Sequence, residues 1–429
     1  MILDGQVTRL PNGLRVATAA MTHVESVSIG VWVGAGGRYE PAAWSGISHF
    51  VEHLLFKGTR RRSARQLSEA IEGRGGELNA FTQEEDTCYF ARVAAERTWE
   101  GLDVLLDMYL EPRLAPEDIG RERAVVVEEI MMGRDQPQQV VDEALGELLW
   151  PAHPLGRPIT GTPETIGRLG RREIRQYLRD TYVPANTVLA FAGQVDHAAC
   201  VERVGRYLAE LPGGAPVRFA PVRPGLKPHR LCLVRKEIEQ AHVALGIRTF
   251  GRHDPRRFAL KLLSVVLGEN MSSRLFQVVR EEHGLAYAIQ SGAHLFHDAG
   301  TLSVTAGLDS ERIDRALHLI VRELRRLRDE PVGPRELARA RDYAVGQIRL
   351  GLEGTGSQMM WVGEQIRAYG RIVSPEATIE ALQAVTVSDV QDLARHILRP
   401  AGMSLAVVAP ELPGGAEDRL AGALSRVGG

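Results

Sequence analysis

The sequence predicts an α+β protein of two homologous domains, each an antiparallel (mixed) sheet with helices packed on it. Three observations carry that expectation. Strand-period and helix-period segments mix in both halves of the 429-residue chain, the pattern of sheets covered by helices. A strand-and-turn signature occurs twice: Val27, Ile29, Val31 and Val33 precede Gly37-Arg38-Tyr39-Glu40-Pro41, and Val243, Leu245 and Ile247 precede Gly251-Arg252-His253-Asp254-Pro255. A helical segment also recurs, Pro116 to Ile130 being echoed by Pro334 to Ile348 with the same spacing between proline and isoleucine.

Taken in order, the chain divides at a stretch dense in breakers. Pro212, Gly213, Gly214, Pro216, Pro221, Pro224, Gly225 and Pro228 exclude a continuous helix or inner strand and predict a semi-extended linker. The expected division is therefore 1–211, linker 212–228 and 229–429. In the first half, alternation over 27–33 predicts a strand with one face in a core. The glycines of Gly75-Gly76-Glu77-Leu78 permit a bend, after which Asn79-Ala80-Phe81-Thr82 reads as an edge strand or as an ordinary strand leaving a turn. Pro116-Glu117-Asp118 is a helix start, so the residues through Ile130 should be helical.

Composition bounds the function. A hydrophobic fraction of 44% and a charged fraction of 25% are those of a soluble globular protein. A net charge of −2 argues against a nucleic-acid partner. No apolar run approaches a membrane span, and the first residues enter a strand-like segment without a signal peptide. Cys88, Cys200 and Cys232 are an odd, scattered set without a CxxC, so free thiols in a reducing compartment, the cytoplasm, are expected.

The chemistry lies in His49-Phe50-Val51-Glu52-His53. On a helix, positions four apart share a face, so both imidazoles can bind one metal ion, and Glu52 can reach a water on that ion. The order is that of a zinc peptidase motif reversed. On a solvent face the same residues would be two surface histidines beside a carboxylate. Glu122 and Glu129, seven apart on the helix that follows, share a face with Val125 and Val126 between them, and carboxylates on an apolar stripe call for a compensating cation. Glu128 points about a quarter turn away. The second half has no histidine from Phe258 to Met271, and Gln347 and Ala340 stand where Glu129 and Glu122 stand in the first, so one metal site per chain is expected.

This set resembles the pitrilysin family of inverzincin metallopeptidases, short-chain bacterial type, similar to the mitochondrial processing peptidase beta subunit. The resemblance runs over nearly the whole chain: Leu10-Pro11-Asn12-Gly13-Leu14, Phe56-Lys57-Gly58-Thr59, His153-Pro154-Leu155-Gly156-Arg157, Tyr182-Val183-Pro184-Ala185-Asn186 and Ser273-Arg274-Leu275-Phe276 all fall in the family's order. It implies a zinc endopeptidase with His49, His53 and Glu129 as ligands and Glu52 as base; Glu122 is placed to orient a ligand or the helix bearing Glu129, or else is an interior carboxylate paired with an Arg. It implies that Asn79, Ala80, Phe81 and Thr82 hold substrate by strand addition. It also implies that Arg280 and Tyr287 are oxyanion and backbone donors reaching across a chamber from a partner subunit; the plain alternative is a surface Arg and a packed Tyr. The expected partners are short or unfolded peptides and a second copy of the chain, since one chain carries both the metal half and the Arg/Tyr half. A heterodimer with an inert homologue is the other arrangement the family offers. A processing peptidase and a non-catalytic scaffold subunit are the competing functions, and the intact ligand set weighs against the scaffold.

Overall fold

The computed structural model describes residues 4–223, 231–412 and 415–425. The predicted α+β architecture is borne out. The first sheet holds β1 (Asp4–Arg9), β2 (Arg15–Ala20), β3 (Ser26–Val33), β4 (Glu77–Thr82), β5 (Thr87–Ala94) and β6 (Thr187–Gly193), in the order β1-β2-β6-β3-β5-β4. The second holds β7 (Leu231–Arg235), β8 (Gln240–Thr249), β9 (Ala286–Leu295), β10 (Gly300–Asp309) and β11 (Met403–Ala409), in the order β7-β11-β8-β10-β9. Each sheet is antiparallel except for one parallel pair, β2 with β6 and β7 with β11. The segment 27–33 and its echo are therefore inner strands, β3 and β8, and Asn79–Thr82 lies on the edge strand β4.

One face of the first sheet takes α1 (Ile47–Leu55), whose Ile47, Phe50, Val51, Leu54 and Leu55 are buried with Val27, Ile29, Val31 and Val33. The alternation in β3 selects this face. The other face is buried too: Trp32, Ala190 and Ala192 pack with Met359, Val362 and Ile366. Close approach is possible because of glycines. A Cβ on Gly363 would stand 2.1 Å from the Trp32 indole nitrogen.

The chain therefore forms two compact units that are discontinuous in sequence: 1–131, 157–220 and 349–377 in one, and 132–156, 221–348 and 378–429 in the other. The division expected near 212–228 separates the two sheets, but two helices are traded. Besides α2 (Pro116–Asp135), the first half contributes α3 (Pro137–Leu149), whose Val141, Leu145 and Leu149 pack on Ala244, Ala406 and Val408 in the second unit. The second half contributes α4 (Arg257–Gly268) and α5 (Pro334–Gly351) to the second unit, but gives α6 (Thr355–Tyr369) to the first. The trade has a simple cause: a sheet whose two faces are both apolar needs a cover on each. Residues 212–223 carry no helix or strand, while 224–228 of the expected linker lie outside the described residues. Among the described residues, no helix is long and apolar enough to cross a membrane.

Candidate metal centre

Helix α1 places His49 and His53 one turn apart, with ring centroids 4.7 Å from each other. Glu129, from α2, reaches both: its carboxylate oxygens stand 3.5 Å from His49 Nε2 and 3.4 Å from His53 Nε2. One ligand atom from each of the three residues lies within 4.8 Å of the others, and no other such group of three occurs among the described residues. Ligands about 2.0–2.1 Å from a tetrahedral ion are themselves roughly 3.4 Å apart, so two nitrogens and one oxygen at these separations fit catalytic zinc. Glu128 is exposed on α2 and takes no part in the group, as the quarter-turn offset requires.

Electrostatics favour cation binding. Burial, helped by the neighbouring His53, pushes the His49 imidazole down to about 4, so it is neutral with a lone pair to donate at neutral pH. Its other nitrogen, Nδ1, is buried without a hydrogen-bond partner. His53 is held instead: its Nδ1 lies 3.4 Å from the buried Glu122. Glu122 also pairs with Lys57 Nζ at 2.9 Å. The cation beside Glu122 is thus a lysine on the segment following α1, not an arginine. Nothing in the helical period of the sequence pointed to Lys57, although it stands in the Phe56-Lys57-Gly58-Thr59 motif.

Glu52 emerges beside the two imidazoles. Burial raises its carboxyl above the usual range, and a hydrogen bond from Thr82 opposes that rise. The bond is short, 2.6 Å from Thr82 Oγ1 to Glu52 Oε2. On β4, side chains alternate: Ala80 and Thr82 face the helix α1, whereas Phe81 packs edge-on to Trp32 at 5.5 Å. Of the expected substrate strand, Phe81 is therefore anchored in the sheet's other face. Asn79 is exposed, and its Oδ1 accepts from its neighbour Ala80 at 2.8 Å, which leaves its amide to donate.

The start of α1 is itself fixed. Gly46 at the helix start has φ +91°, and a Cβ there would lie 2.5 Å from the Thr160 carbonyl oxygen. The carboxyl of Glu40 accepts from Gly46 N at 2.7 Å and from Ser48 N at 2.8 Å. Burial pushes Glu40 up to about 7, against the pull of these donors.

Arg280 and Tyr287 lie together in the second unit. Arg280 lies within a π-helical turn, Phe276–Glu282, with its guanidinium 4.7 Å from the Phe276 ring and 5.5 Å from that of Tyr287. Tyr287 sits on the edge strand β9, where the pairing with β10 shifts register, and is 78% exposed, so it is not a packed tyrosine.

Comparison with known proteins settles the ancestry. The insulinase domain model of peptidase family M16 matches residues 15–163. The peptidase M16 inactive domain matches residues 168–343. An uncharacterized zinc protease of Mycobacterium tuberculosis is 40% identical over 395 residues, covering 91% of this chain and 90% of its own length. The chain belongs to peptidase family M16. An M16 relative in Bacillus subtilis, also an uncharacterized zinc protease, is 36% identical and covers 93% of this chain and 97% of its own. The M16 fold is matched by the crystal structure of a protease from Helicobacter pylori, with a TM-score of 0.86 and 21% identity over 96% of this chain and all of that one. A Pseudomonas fluorescens structure described as a peptidase M16 inactive domain gives a TM-score of 0.87 at 17% identity, over 96% of this chain and 99% of that one.

Proposed function

We propose that this M16 chain is a zinc-dependent endopeptidase acting on short or unfolded peptides, with one zinc per chain held by His49, His53 and Glu129. The single observation that carries the reading is the convergence of two imidazoles and a carboxylate beside Glu52. Bound there, zinc supplies Lewis-acid polarisation of a water and of the scissile carbonyl. Glu52 takes the water's proton and later returns it to the leaving amine; its raised basicity suits both steps. Thr82 holds that carboxylate in one orientation. Glu122 keeps His53 in the tautomer whose Nε2 is free to coordinate. The open edge of β4 accepts a peptide by main-chain pairing, which favours unfolded substrates over a fixed sequence. Three unpaired cysteines suit a reducing cytoplasm.

The scaffold alternative draws support from the inactive-domain match, but that match begins at residue 168, beyond every metal ligand. Incubating the protein with mixed unfolded peptides, with and without chelator, and mapping cuts by mass spectrometry separates the readings. Chelator-sensitive cleavage is expected; absence of cleavage by zinc-loaded protein would leave the scaffold.

The active unit in this reading is a homodimer in which Arg280 and Tyr287 of one chain serve the zinc of the other. Support comes from the exposure of Tyr287 and from two donors suited to a tetrahedral oxyanion standing side by side. Mixing Glu52→Gln chains with Tyr287→Phe chains should restore partial activity, because a mixed dimer contains one intact combination. No recovery despite subunit exchange would assign Tyr287 to its own chain's site or to structure alone.

A further inference from the structure

The Gly37-Arg38-Tyr39-Glu40-Pro41 segment marks the internal repeat, and the mechanism above makes no use of it. Glu40 is 3% exposed, an expensive place for a carboxyl unless it is bonded. Its bonds all go to the start of α1. One oxygen accepts Gly46 N–H and the other Ser48 N–H, two of the four donors that a helix leaves unsatisfied at its first turn. The Ser48 hydroxyl makes a 2.8 Å hydrogen bond with the buried Tyr177 hydroxyl, in which either group can donate. Gly46 has no side chain, so the residue that would ordinarily cap the helix cannot. The loop that closes over Gly46 also holds Glu40 from behind, through Arg157 Nη1 on the Glu40 carbonyl oxygen at 3.2 Å.

His49 follows Ser48 directly, in the turn that this carboxyl anchors. Relaxation of that turn would move the His49 nitrogen away from Glu129 while His53, one turn deeper and tied to Glu122, stayed in place. We infer that Glu40 is a positioning residue for the metal centre: it caps α1 from outside the helix and thereby holds His49 at its coordinating distance from Glu129. This rests on the assignment of His49, His53 and Glu129 as zinc ligands.

Zinc affinity tests it independently of activity. Glu40→Gln keeps the shape but turns an amide NH2 toward a backbone N–H. Measured by Zn2+ competition with a fluorescent chelator, at a temperature where circular dichroism shows the variant fully folded, its Kd should rise about 10–100-fold. Glu40→Asp, which keeps the charge on a shorter arm, should recover part of that loss. A Kd for Glu40→Gln within twofold of wild type, whatever the change in Tm, overturns the inference. If Glu40→Gln does not fold, Glu40→Asp decides: its shorter arm cannot span both backbone nitrogens as Glu40 does, a rise in Kd of about 3–10-fold supports the inference, and an unchanged Kd overturns it. Failure of the wild-type chain to take up zinc would instead remove the ligand assignment, a result plainly different from equal affinities.

Discussion

Strands β2-β6-β3-β5-β4 and β7-β11-β8-β10-β9 run in the same order with the same senses, and in each sheet a helix follows the central strand β3 or β8. In the first unit that helix, α1, carries His49, Glu52 and His53. In the second, α4 carries no histidine and buries Leu260, Leu262, Leu263, Val265 and Leu267. Helix α5 bears Gln347 and Ala340 where α2 bears Glu129 and Glu122. The caps differ as well. Glu40 is buried against the start of α1, whereas Asp254 at the matching place bonds Arg256, through both its backbone nitrogen at 2.9 Å and its guanidinium. The difference teaches that this architecture does not need the polar group. Where the ligands are absent the helix buries leucine and valine, and where they are present the surrounding contacts hold groups that would otherwise weaken the core.

The largest effect expected is chemical. Glu52→Gln should keep zinc, which Glu52 does not bind, and reduce peptide hydrolysis on the order of 100-fold or more. An occupied site by metal analysis with near wild-type cleavage would remove Glu52 from the role of base. Next, Glu129→Gln gives the first unit the residue that the second already has at 347. It should weaken zinc binding by at least about 10-fold, while Gln347→Ala leaves affinity unchanged, as competition titration will show. If both variants bound zinc like wild type, the asymmetry between the halves would not lie in the ligand carboxylate.

Two smaller effects concern stability. Each contact between a sheet and its covering helix contains a glycine, Gly363 on the helix α6 and Gly246 on the strand β8. At Gly363 an added Cβ meets the rigid Trp32 ring at 2.1 Å, whereas at Gly246 it meets the flexible ends of Leu149 and Leu145 at 2.8 and 2.9 Å. Gly363→Ala should cost about 2–3 kcal/mol in urea denaturation and Gly246→Ala about 1 or less. Equal losses would mean that the two covers are equally adaptable. Finally, His49 has a folded-state value of about 4, below the unfolded 6.5. As pH falls through 6.5 the unfolded chain takes up this proton first, so stability is lost on acidification. In chelator, wild type should lose about 2 kcal/mol more than His49→Asn between pH 7 and pH 5. An equal loss in both would show that His49 titrates alike in the folded and unfolded chains.

Residues whose roles depend on local spacing are legible in the sequence by itself. His49 and His53 are four apart, Glu122 and Glu129 seven apart, and β3 alternates; helix and strand geometry convert each spacing into a shared face. The repeat makes the second half readable by difference, including its missing ligands. Alternation in β3 predicts one face in a core and leaves the other open, because the period says which residues share a face and not what covers it. Only the tertiary structure decided that α6, more than 300 residues along the chain, lies there against Trp32. It alone decided that Thr82 bonds Glu52 across 30 positions, that Lys57 meets Glu122, and that Glu40 caps a helix of which it is not part. These contacts join separate segments, and their partners are chosen by how sheets and helices close around the core, which no local period encodes.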